Sequence, residues 1–147
     1  MQSIAADAER IYLFVQHLGR RLREIDAAYG LTAARFSAMA TLRFDGSTNI
    51  GELAAAERVK APSMTRLVRD MQRDGLVWRC SDPRDGRGVL IALTAKGRAA
   101  FDRVRTVKIA LVADYLATLP RATRASTAEV FGALEELAEP TITADAP

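Results

Sequence analysis

The sequence predicts a mainly α-helical protein with one small β-hairpin, and three observations support this fold class. Apolar residues recur at spacings of three and four through most of the chain, which is the period of a helix with one buried face. The period changes to two on both sides of the segment 82–88, whose residues favour a turn. The 147 residues suffice for one domain-sized unit, and 49% of them are hydrophobic, which is ample for a core.

The first thirty residues predict one long helix with an a/d seam. Its apolar residues alternate spacings of four and three over three heptads, at Ile4, Ala8, Ile11, Val15, Leu18, Leu22 and Ile25. A helix with such a seam packs against a partner helix. Gly30 ends this helix, because glycine readily adopts the left-handed conformation that follows a helix C-terminus.

Two shorter helices are expected next. Thr32 can cap a helix that runs to about Phe44, and the segment 45–47 is the turn that follows it. The candidate core residues of this part are Leu31, Phe36, Met39, Ala40 and Leu42. The segment 48–50 is long enough for one rung of a sheet, and 52–57 predicts a short helix about four residues before the next one.

The segment 61–75 predicts a helix with two different faces. One face carries an apolar stripe at the helical period, formed by Met64, Leu67, Val68 and Met71. The opposite side carries a row of guanidinium groups with hydroxyls on its flanks, formed by Arg66, Arg69, Arg73, Ser63 and Thr65. The row is either a solvated charged face or a surface that binds an anion.

The start of this helix favours an anionic partner. Pro62 fits the first helical position, and Ala61 at the cap position has no side-chain oxygen. The backbone donors at Ser63 and Met64 are then expected to be free for a DNA phosphate.

After Gly75 the alternation of side chains predicts a β-hairpin. The alternating residues are Leu76, Trp78 and Cys80 on one strand and Val89, Ile91 and Leu93 on the other. The connection 82–88 carries Arg84 and Arg87 at an exposed tip. A basic hairpin beside two closely spaced helices, the second of them basic, predicts a winged helix-turn-helix domain.

Two more helices are expected towards the C-terminal end. Thr94 can cap the first of them, and Pro120 stops it. The last helix runs from about 123 to 138 and is expected to bury Val130, Phe131, Leu134 and Leu137. The predicted organisation is a dimerisation helix over 1–30, the winged helix-turn-helix domain over 31–97, dimerisation helices over 98–139 and a flexible tail over 140–147.

The basic residues are concentrated in the middle of the chain. From Arg58 to Arg105 there are twelve Lys and Arg residues against five Asp residues, a net charge of +7, whereas the whole chain carries +3. A basic middle between acidic ends favours a polyanionic partner. With one cysteine, no apolar run of membrane length and no signal peptide, the protein is expected in the cytoplasm, away from membranes.

The composition argues against an enzyme. The chain has one histidine, His17, one cysteine, Cys80, and no glycine-rich phosphate loop, so neither a metal cluster nor a nucleophile–base pair can be assembled. No cofactor and no metal are expected. Cys80 lies in mid-strand among apolar neighbours, which favours an inert buried thiol over a redox switch.

The motifs between Leu31 and Gly97 resemble those of the MarR (multiple antibiotic resistance regulator) family in order and spacing. They are Leu31-Thr32, Arg35-Phe36, Glu52-Leu53-Ala54, Pro62, Thr65-Arg66-Leu67-Val68, Gly75-Leu76-Val77 with Arg79, Asp82-Pro83-Arg84-Asp85-Gly86-Arg87, and Leu93-Thr94-Ala95-Lys96-Gly97. The Asp-Pro-x-Asp-x-Arg hairpin followed by Leu-Thr-x-x-Gly is the most specific part. Gly86 stands where the family often has a second Arg, and Gly88 follows, which predicts a more flexible wing with one cation fewer.

The resemblance implies a winged helix-turn-helix transcriptional regulator that forms a homodimer through its terminal helices, binds a pseudo-palindromic double-stranded DNA operator and, as is common in the family, releases it on binding a small, commonly aromatic, anion. A repressor is expected, and an activator is the alternative sign of regulation. Arg66, Arg69 and Thr65 are expected to reach base edges in the major groove, and Arg73 to meet phosphate. Arg87 resembles the family's minor-groove arginine, while Asp85 is expected to orient an arginine. The alternative function is a structural protein, either a sequence-indifferent DNA-binding protein or a helical interaction module.

A candidate effector site lies on the first helix. Phe14, His17 and Arg21 share one face beside the seam and combine an aromatic ring, a titratable donor and a cation. Such a set suits an aromatic carboxylate, and Phe36 of the second helix is expected nearby. The alternative is that Phe14 packs near Phe36 while His17 and Arg21 face solvent or acids. The resemblance favours the site, because similar proteins bind ligands where the dimer helices meet the DNA-binding domain.

Overall fold

The computed structural model describes residues 3–86 and 88–138, and their side chains up to Glu135. Within these ranges it has six α-helices and one two-stranded antiparallel sheet, as the sequence predicts. In chain order the elements are α1 (Ile4–Ala28), α2 (Ala33–Phe44), α3 (Ile50–Ala56), α4 (Ala61–Arg73), β1 (Val77–Ser81), β2 (Val89–Leu93), α5 (Ala95–Ala117) and α6 (Arg121–Ala138). None of the described helices is long and apolar enough to cross a membrane.

The chain divides into two compact units between Lys108 and Ile109. The first unit contains α1 to α4, the hairpin and the first part of α5. Its core contains fully buried side chains from six elements, among them Met39, Leu53, Met64, Met71, Val77, Ile91 and Phe101. The predicted domain boundaries after residues 30 and 97 remain predictions, and the tail 140–147 lies outside the described residues.

Hydroxyl side chains begin three of the helices. Each oxygen accepts a hydrogen bond from the backbone N–H three residues further on, which satisfies a donor that the helix start leaves unpaired. The caps are Ser3 for α1 (3.3 Å), Thr32 for α2 (3.2 Å) and Thr94 for α5 (2.9 Å). The predicted caps Thr32 and Thr94 are therefore confirmed.

The helix α3 begins two residues earlier than the sequence predicted, because Asn49 caps it. Asn49 Oδ1 accepts a hydrogen bond from the N–H of Glu52 at 2.9 Å. The Thr48 hydroxyl donates to the Glu52 carboxylate at 2.5 Å. The hydrogen bond from Thr48, then the backbone of Asn49 and the charge of Arg84 hold the pKa of Glu52 below its usual value.

The hairpin buries one of its faces more than the other. Val77, Ile91 and Leu93 are buried, whereas Trp78 on the other face is half exposed. Thr48 adds one bridge to Ile91, which is the single rung expected for that segment. Leu90, on the same face as Trp78, is also buried, and Val89 on the opposite face is exposed. The alternation that put Leu76, Trp78 and Cys80 on one side of the first strand therefore did not decide which side chains enter the core.

A buried ion pair connects three helices of the first unit. Lys108 Nζ of α5 lies 2.6 Å from Asp26 Oδ1 of α1, in a close ionic contact rather than an aligned hydrogen bond. The same ammonium group lies 3.4 Å from the ring centroid of Phe36 in α2, and Phe36 stacks on Phe101 with centroids 4.8 Å apart. The apolar periodicity of the sequence contains no sign of this pair.

The a/d seam of α1 is only partly covered in the single chain. Three side chains of its first half are exposed, namely Ile4 (89%), Ile11 (52%) and Val15 (56%). The second half is half-buried, through Leu18, Leu22 and Ile25.

The helix α6 exposes the apolar residues that it was expected to bury. Val130, Phe131 and Leu134 are all exposed. The side chain of Leu137 lies outside the described part of the structure. The prediction is wrong for the single chain, because the described residues of one chain do not cover this stripe.

Candidate nucleic-acid interface

The helix α4 begins one residue earlier than predicted. Its N-cap is Lys60, which makes no side-chain cap, so Pro62 occupies the second helical position. The N–H groups of Ser63 and Met64 both donate to the carbonyl oxygen of Lys60, at 3.0 and 3.1 Å. The prediction of free donors at these two residues is therefore wrong, because the earlier start gives both a helical carbonyl. Among the described residues the N–H of Ala61 has no hydrogen-bond partner.

The apolar face of α4 is buried as predicted. Met64, Val68 and Met71 are almost completely inaccessible, and Leu67 is half-buried. This burial fixes the rotation of the helix about its own axis, so the arginine row points to solvent.

The arginine row presents two guanidinium groups without a partner. Arg66 and Arg69 are exposed, and within the part of the chain that the structure describes neither has a hydrogen bond or an ion pair. Arg73 is also exposed but forms an ion pair with Asp70, one turn before it. Arg66 and Arg69 are therefore free to bind an external acceptor, whereas the charge of Arg73 is partly neutralised.

The two hydroxyl residues of the predicted surface differ in their surroundings. Ser63 is exposed. Thr65 is half-buried, and its hydroxyl donates to the carbonyl oxygen of Ala61 at 2.9 Å. The Thr65 proton is thus used inside the helix, and its oxygen can serve only as an acceptor, for example for the amino group of a base.

The connection between the strands, the predicted wing, is organised by Asp82. Its carboxylate accepts a hydrogen bond from the N–H of Arg84 at 2.8 Å and lies 3.5 Å from the exposed guanidinium of Arg84. That backbone hydrogen bond first, and then the charge of Arg84, hold the pKa of Asp82 below its usual value. The N–H of Gly88 donates to the carbonyl oxygen of Asp85 at 2.8 Å. Arg87, the predicted tip cation, lies outside the described residues.

Arg79 is a basic residue of this surface that the sequence marked only as part of a motif and did not assign to the DNA-contacting set. It lies in β1 and is exposed, and its Nε donates to Gln72 Oε1 of α4 at 3.2 Å. Gln72 and Arg79 belong to different elements with the turn at Gly75 between them, so no periodicity relates the two residues. Only the direction in which β1 leaves the turn brings this guanidinium beside α4.

The start of α5 lies against the turn that ends α4. A Cβ atom added at Gly97 would lie 2.0 Å from the carbonyl oxygen of Leu76, so only glycine fits there. The Thr94 hydroxyl donates to the carbonyl oxygen of Gly75 at 2.6 Å, and Gly75 itself has a φ of +73°. These contacts explain the Leu-Thr-x-x-Gly motif, because they hold the chain reversal between α4 and β1.

The predicted effector residues lie in two different surroundings. Phe14 and His17 are exposed on α1, and the Arg21 guanidinium donates to the Glu24 carboxylate at 2.8 Å. Phe36 is half-buried within the aromatic cluster of α2 and α5. A pocket formed by these four residues stays a prediction.

Groups that support catalysis are sparse in the described residues. Within that part of the chain, no cluster of three or more His, Cys, Asp or Glu side chains could hold a metal ion. Cys80 is half-buried rather than fully buried as expected, and its Sγ lies 3.7 Å from the carbonyl oxygen of Leu90. The physical reason is that β1 is one of only two strands in its sheet, so a side chain on its outer face is covered on one side only.

These elements define a winged helix-turn-helix: α3 and α4 are joined by a short turn, α4 exposes a basic face, and a basic hairpin follows it. The MarR family model matches residues 31–89, the part that contains all of these elements up to the first residue of β2. The chain belongs to the MarR family of DNA-binding transcriptional regulators.

Relatives and solved structures agree with this assignment. The chain is 35% identical over 124 residues to an uncharacterized HTH-type transcriptional regulator from Mycobacterium bovis, an alignment that covers 84% of this chain and 87% of the relative. It is 27% identical over 110 residues to the HTH-type transcriptional repressor MdtR from Bacillus subtilis, covering 75% and 71%. A solved MarR family protein from Bacillus stearothermophilus superposes with a TM-score of 0.81 at 26% identity, covering 90% of this chain and 93% of that one.

Proposed function

We propose that the protein is a dimeric, sequence-specific transcriptional repressor that acts in the cytoplasm and reads a pseudo-palindromic operator. The observation that carries this proposal is the outer face of α4. Arg66 and Arg69 have no partner among the described residues, while the opposite face of the same helix is held in the core. Two unpaired guanidinium groups on a rigid helix favour a polyanion, and the major groove of B-DNA, about 12 Å wide, admits one helix. The name of the repressor MdtR supports the sign of regulation.

The proposed reading surface is the segment 61–75, which enters the major groove through its N-terminal half. Arg66 and Arg69 contact base edges, since the paired acceptors of guanine suit a guanidinium. Ser63 and Thr65 add hydroxyl oxygens beside them. Arg73 contacts phosphate, where its partner Asp70 weakens but does not cancel its charge.

The proposed wing, 82–88, contacts the adjacent minor groove. Arg87 inserts into the groove, and Arg84 contacts the backbone beside it. Arg87→Ala is expected to lose most affinity on sites with A·T-rich flanks, whose narrow minor groove attracts a cation. Equal losses on A·T-rich and G·C-rich flanks would argue against insertion.

The proposed dimer forms through the terminal helices. Its support is the exposed half of the α1 seam and the exposed apolar residues of α6. Large apolar side chains exposed in a row favour an interface. A two-fold axis then presents two reading helices about 34 Å apart, one turn of B-DNA, which matches a pseudo-palindrome.

The proposed effector is a small aromatic anion, such as salicylate, bound near Phe14, His17, Arg21 and Phe36. Its support is the exposure of Arg21, whose partner Glu24 is an exposed carboxylate that a ligand carboxylate can replace. The anion weakens operator binding only if it prefers a dimer geometry in which the reading helices are badly spaced. Salicylate is expected to raise the melting temperature and weaken operator binding, and Arg21→Ala to abolish both effects with ligand-free affinity within about threefold.

Selection of bound sequences from a random DNA pool tests the proposed function. The expected product is an inverted repeat with half-site centres about 10 base pairs apart. Binding of this product and of random DNA at one stated salt concentration then gives the specificity ratio, expected above about 1,000. A ratio near one would favour the sequence-indifferent DNA-binding protein, and no binding to either DNA would favour the helical interaction module.

A further inference from the structure

The C-terminal end of α4 is held by two other helices through a single residue. Asp74, the C-cap residue, accepts a hydrogen bond at Oδ2 from Arg35 Nη1 of α2, at 2.7 Å. Its backbone carbonyl oxygen accepts a second one from Lys96 Nζ of α5, at 2.8 Å. Neither cation belongs to the proposed DNA-contacting set.

Both contacts are physically favourable at this place. The last carbonyl groups of a helix have no partner inside the helix and carry partial negative charge, so a lysine ammonium group satisfies them. Arg35 is itself held at two points, because its N–H donates to the cap Thr32 and its side chain is only 19% exposed. The guanidinium that contacts Asp74 therefore has a defined position on α2.

We propose that Asp74 is a positioning residue for DNA reading, which sets the direction of α4 through Arg35. This inference rests on the proposed function of α4. Arg66 and Asp74 are eight positions apart, which is about 12 Å at 1.5 Å per residue. A tilt of about 10° at the Asp74 end therefore moves Arg66 by about 2 Å, which is enough to break a hydrogen bond to a base.

For Asp74→Asn, the effect of the lost charge and the effect of the lost positioning change DNA affinity in opposite directions. Asp74→Asn removes a negative charge from a domain that binds a polyanion, so an effect of charge alone would tighten DNA binding. The asparagine also loses the ion pair with Arg35. If that pair positions α4, operator binding weakens although the domain has become more cationic.

A second ion pair of the same kind provides a matched control. Arg43 Nε of α2 lies 3.2 Å from Asp102 Oδ1 of α5, with side chains 40% and 50% exposed, and neither residue lies on α4. Asp102→Asn removes the same charge and a comparable ion pair. The two carboxylates are exposed to a similar extent, 45% for Asp74 and 50% for Asp102. Ion pairs of carboxylates that solvent reaches contribute little to stability, so each of the two variants is expected to fold.

The experiment measures the affinity of the full-length dimer for the selected operator at several salt concentrations. Asp74→Asn is expected to weaken binding about threefold per reading helix, hence about tenfold for a dimer that presents the helix twice. Its melting temperature is expected to stay within about 3 °C of the original. Asp102→Asn is expected to bind equally or more tightly. Asp74→Glu, which keeps the carboxylate, is expected to retain affinity within about threefold.

A second variant separates positioning from direct contact. Arg35→Gln is expected to weaken operator binding as much as Asp74→Asn does, without a change in the salt dependence. A phosphate contact by Arg35 would instead reduce the slope of log affinity against log salt by about one per contact. If Asp74→Asn fails to fold, the operator affinity and salt dependence of Arg35→Gln alone test whether the pair of Arg35 and Asp74 positions α4.

Two outcomes would overturn the inference, and they can be told apart. Equal or tighter operator binding by a folded Asp74→Asn variant removes the positioning role and leaves the proposed function intact. If the unsubstituted protein shows no preference for the operator over random DNA, both the positioning role and the proposed function are wrong.

Discussion

The helices α4 and α1 have the same kind of sequence pattern but bury it differently. Both have apolar residues at helical spacing along one side. In α4 these side chains, such as Met64 and Met71, are fully buried by the same chain. In the first half of α1 the equivalent side chains, such as Ile11 and Val15, are more than half exposed. Periodicity therefore predicts that a face will be buried, and leaves open which molecule buries it.

Length explains the difference. The stripe of α4 covers two turns and lies among α2, α3 and the hairpin. The 25 residues of α1 span about 37 Å, whereas the stripe of α4 from Met64 to Met71 spans only about 11 Å. The other elements leave the first half of this longer seam exposed, so that half is available to a second copy of the chain.

The largest expected effect comes from a charge in the exposed seam. Val15→Asp costs the single chain little, because the site is exposed, but it places a carboxylate in the proposed dimer interface. Sedimentation at micromolar concentration is expected to show a folded monomer, and operator affinity to fall more than about 100-fold. Gln16→Asp, one position off the seam, is the control and should stay dimeric. A dimeric Val15→Asp protein with normal affinity would mean that the dimer forms elsewhere.

Truncation of one apolar residue in each helix tests whether the apolar stripe of that helix is buried by its own chain. In the monomeric Val15→Asp background, Met71→Ala is expected to lower the free energy of unfolding by about 2–5 kcal/mol, because it leaves a cavity in the core. Ile11→Ala in the same background is expected to cost less than about 0.5 kcal/mol. Denaturant unfolding measures both values. Similar costs for the two substitutions would show that α1 is buried by its own chain.

The outer faces of the two helices are compared by removing single arginines. Arg66→Ala and Arg69→Ala are each expected to weaken operator binding by about 1–3 kcal/mol and to relax the base preference. Arg73→Ala should weaken all DNA to a similar extent and flatten the salt dependence. Arg20→Ala, at an exposed site on α1, is the control and should change neither quantity. Titrations with operator and random DNA at several salt concentrations distinguish these results, and unaltered affinity in all α4 variants would exclude this helix as the reader.

The smallest expected effect concerns the two helix starts. Ser3 caps α1, whereas Lys60 gives α4 no side-chain cap. Lys60→Ser is expected to be more stable than Lys60→Ala by about 0.5–1 kcal/mol, because only serine can accept the N–H of Ser63. Both variants lose the same cation, so their DNA affinities should fall equally. Urea unfolding checks the first statement, and equal stabilities would mean that the start of α4 does not respond to a cap.

Local signals predicted most of the fold. The caps Thr32 and Thr94, the buried stripe of α4 and the hairpin between 77 and 93 are confirmed, because each depends on residues a few positions apart. The start of α4 was predicted one residue late, since proline is tolerated at either of the first two helical positions and Lys60 has no capping preference.

Contacts between distant residues could not be predicted. Arg79 beside Gln72, Arg35 with Asp74, and Asp26 with Lys108 are all pairs of charged or polar side chains from different elements. A single sequence contains no spacing rule for such pairs. They follow from the angles at which elements leave their turns, and those angles are set by packing.

For this protein the sequence alone determined the type and order of the elements, the buried face of α4 and the position of the cations along that helix, because these depend on period, turn chemistry and charge along the chain. Only the tertiary structure decided that Arg66 and Arg69 stay unpaired among the described residues while Arg73 binds Asp70, and that α2 and α5 both hold Asp74. The physical reason is that an ion pair requires two charges within about 4 Å, and distances of that size between elements exist only after the core has packed.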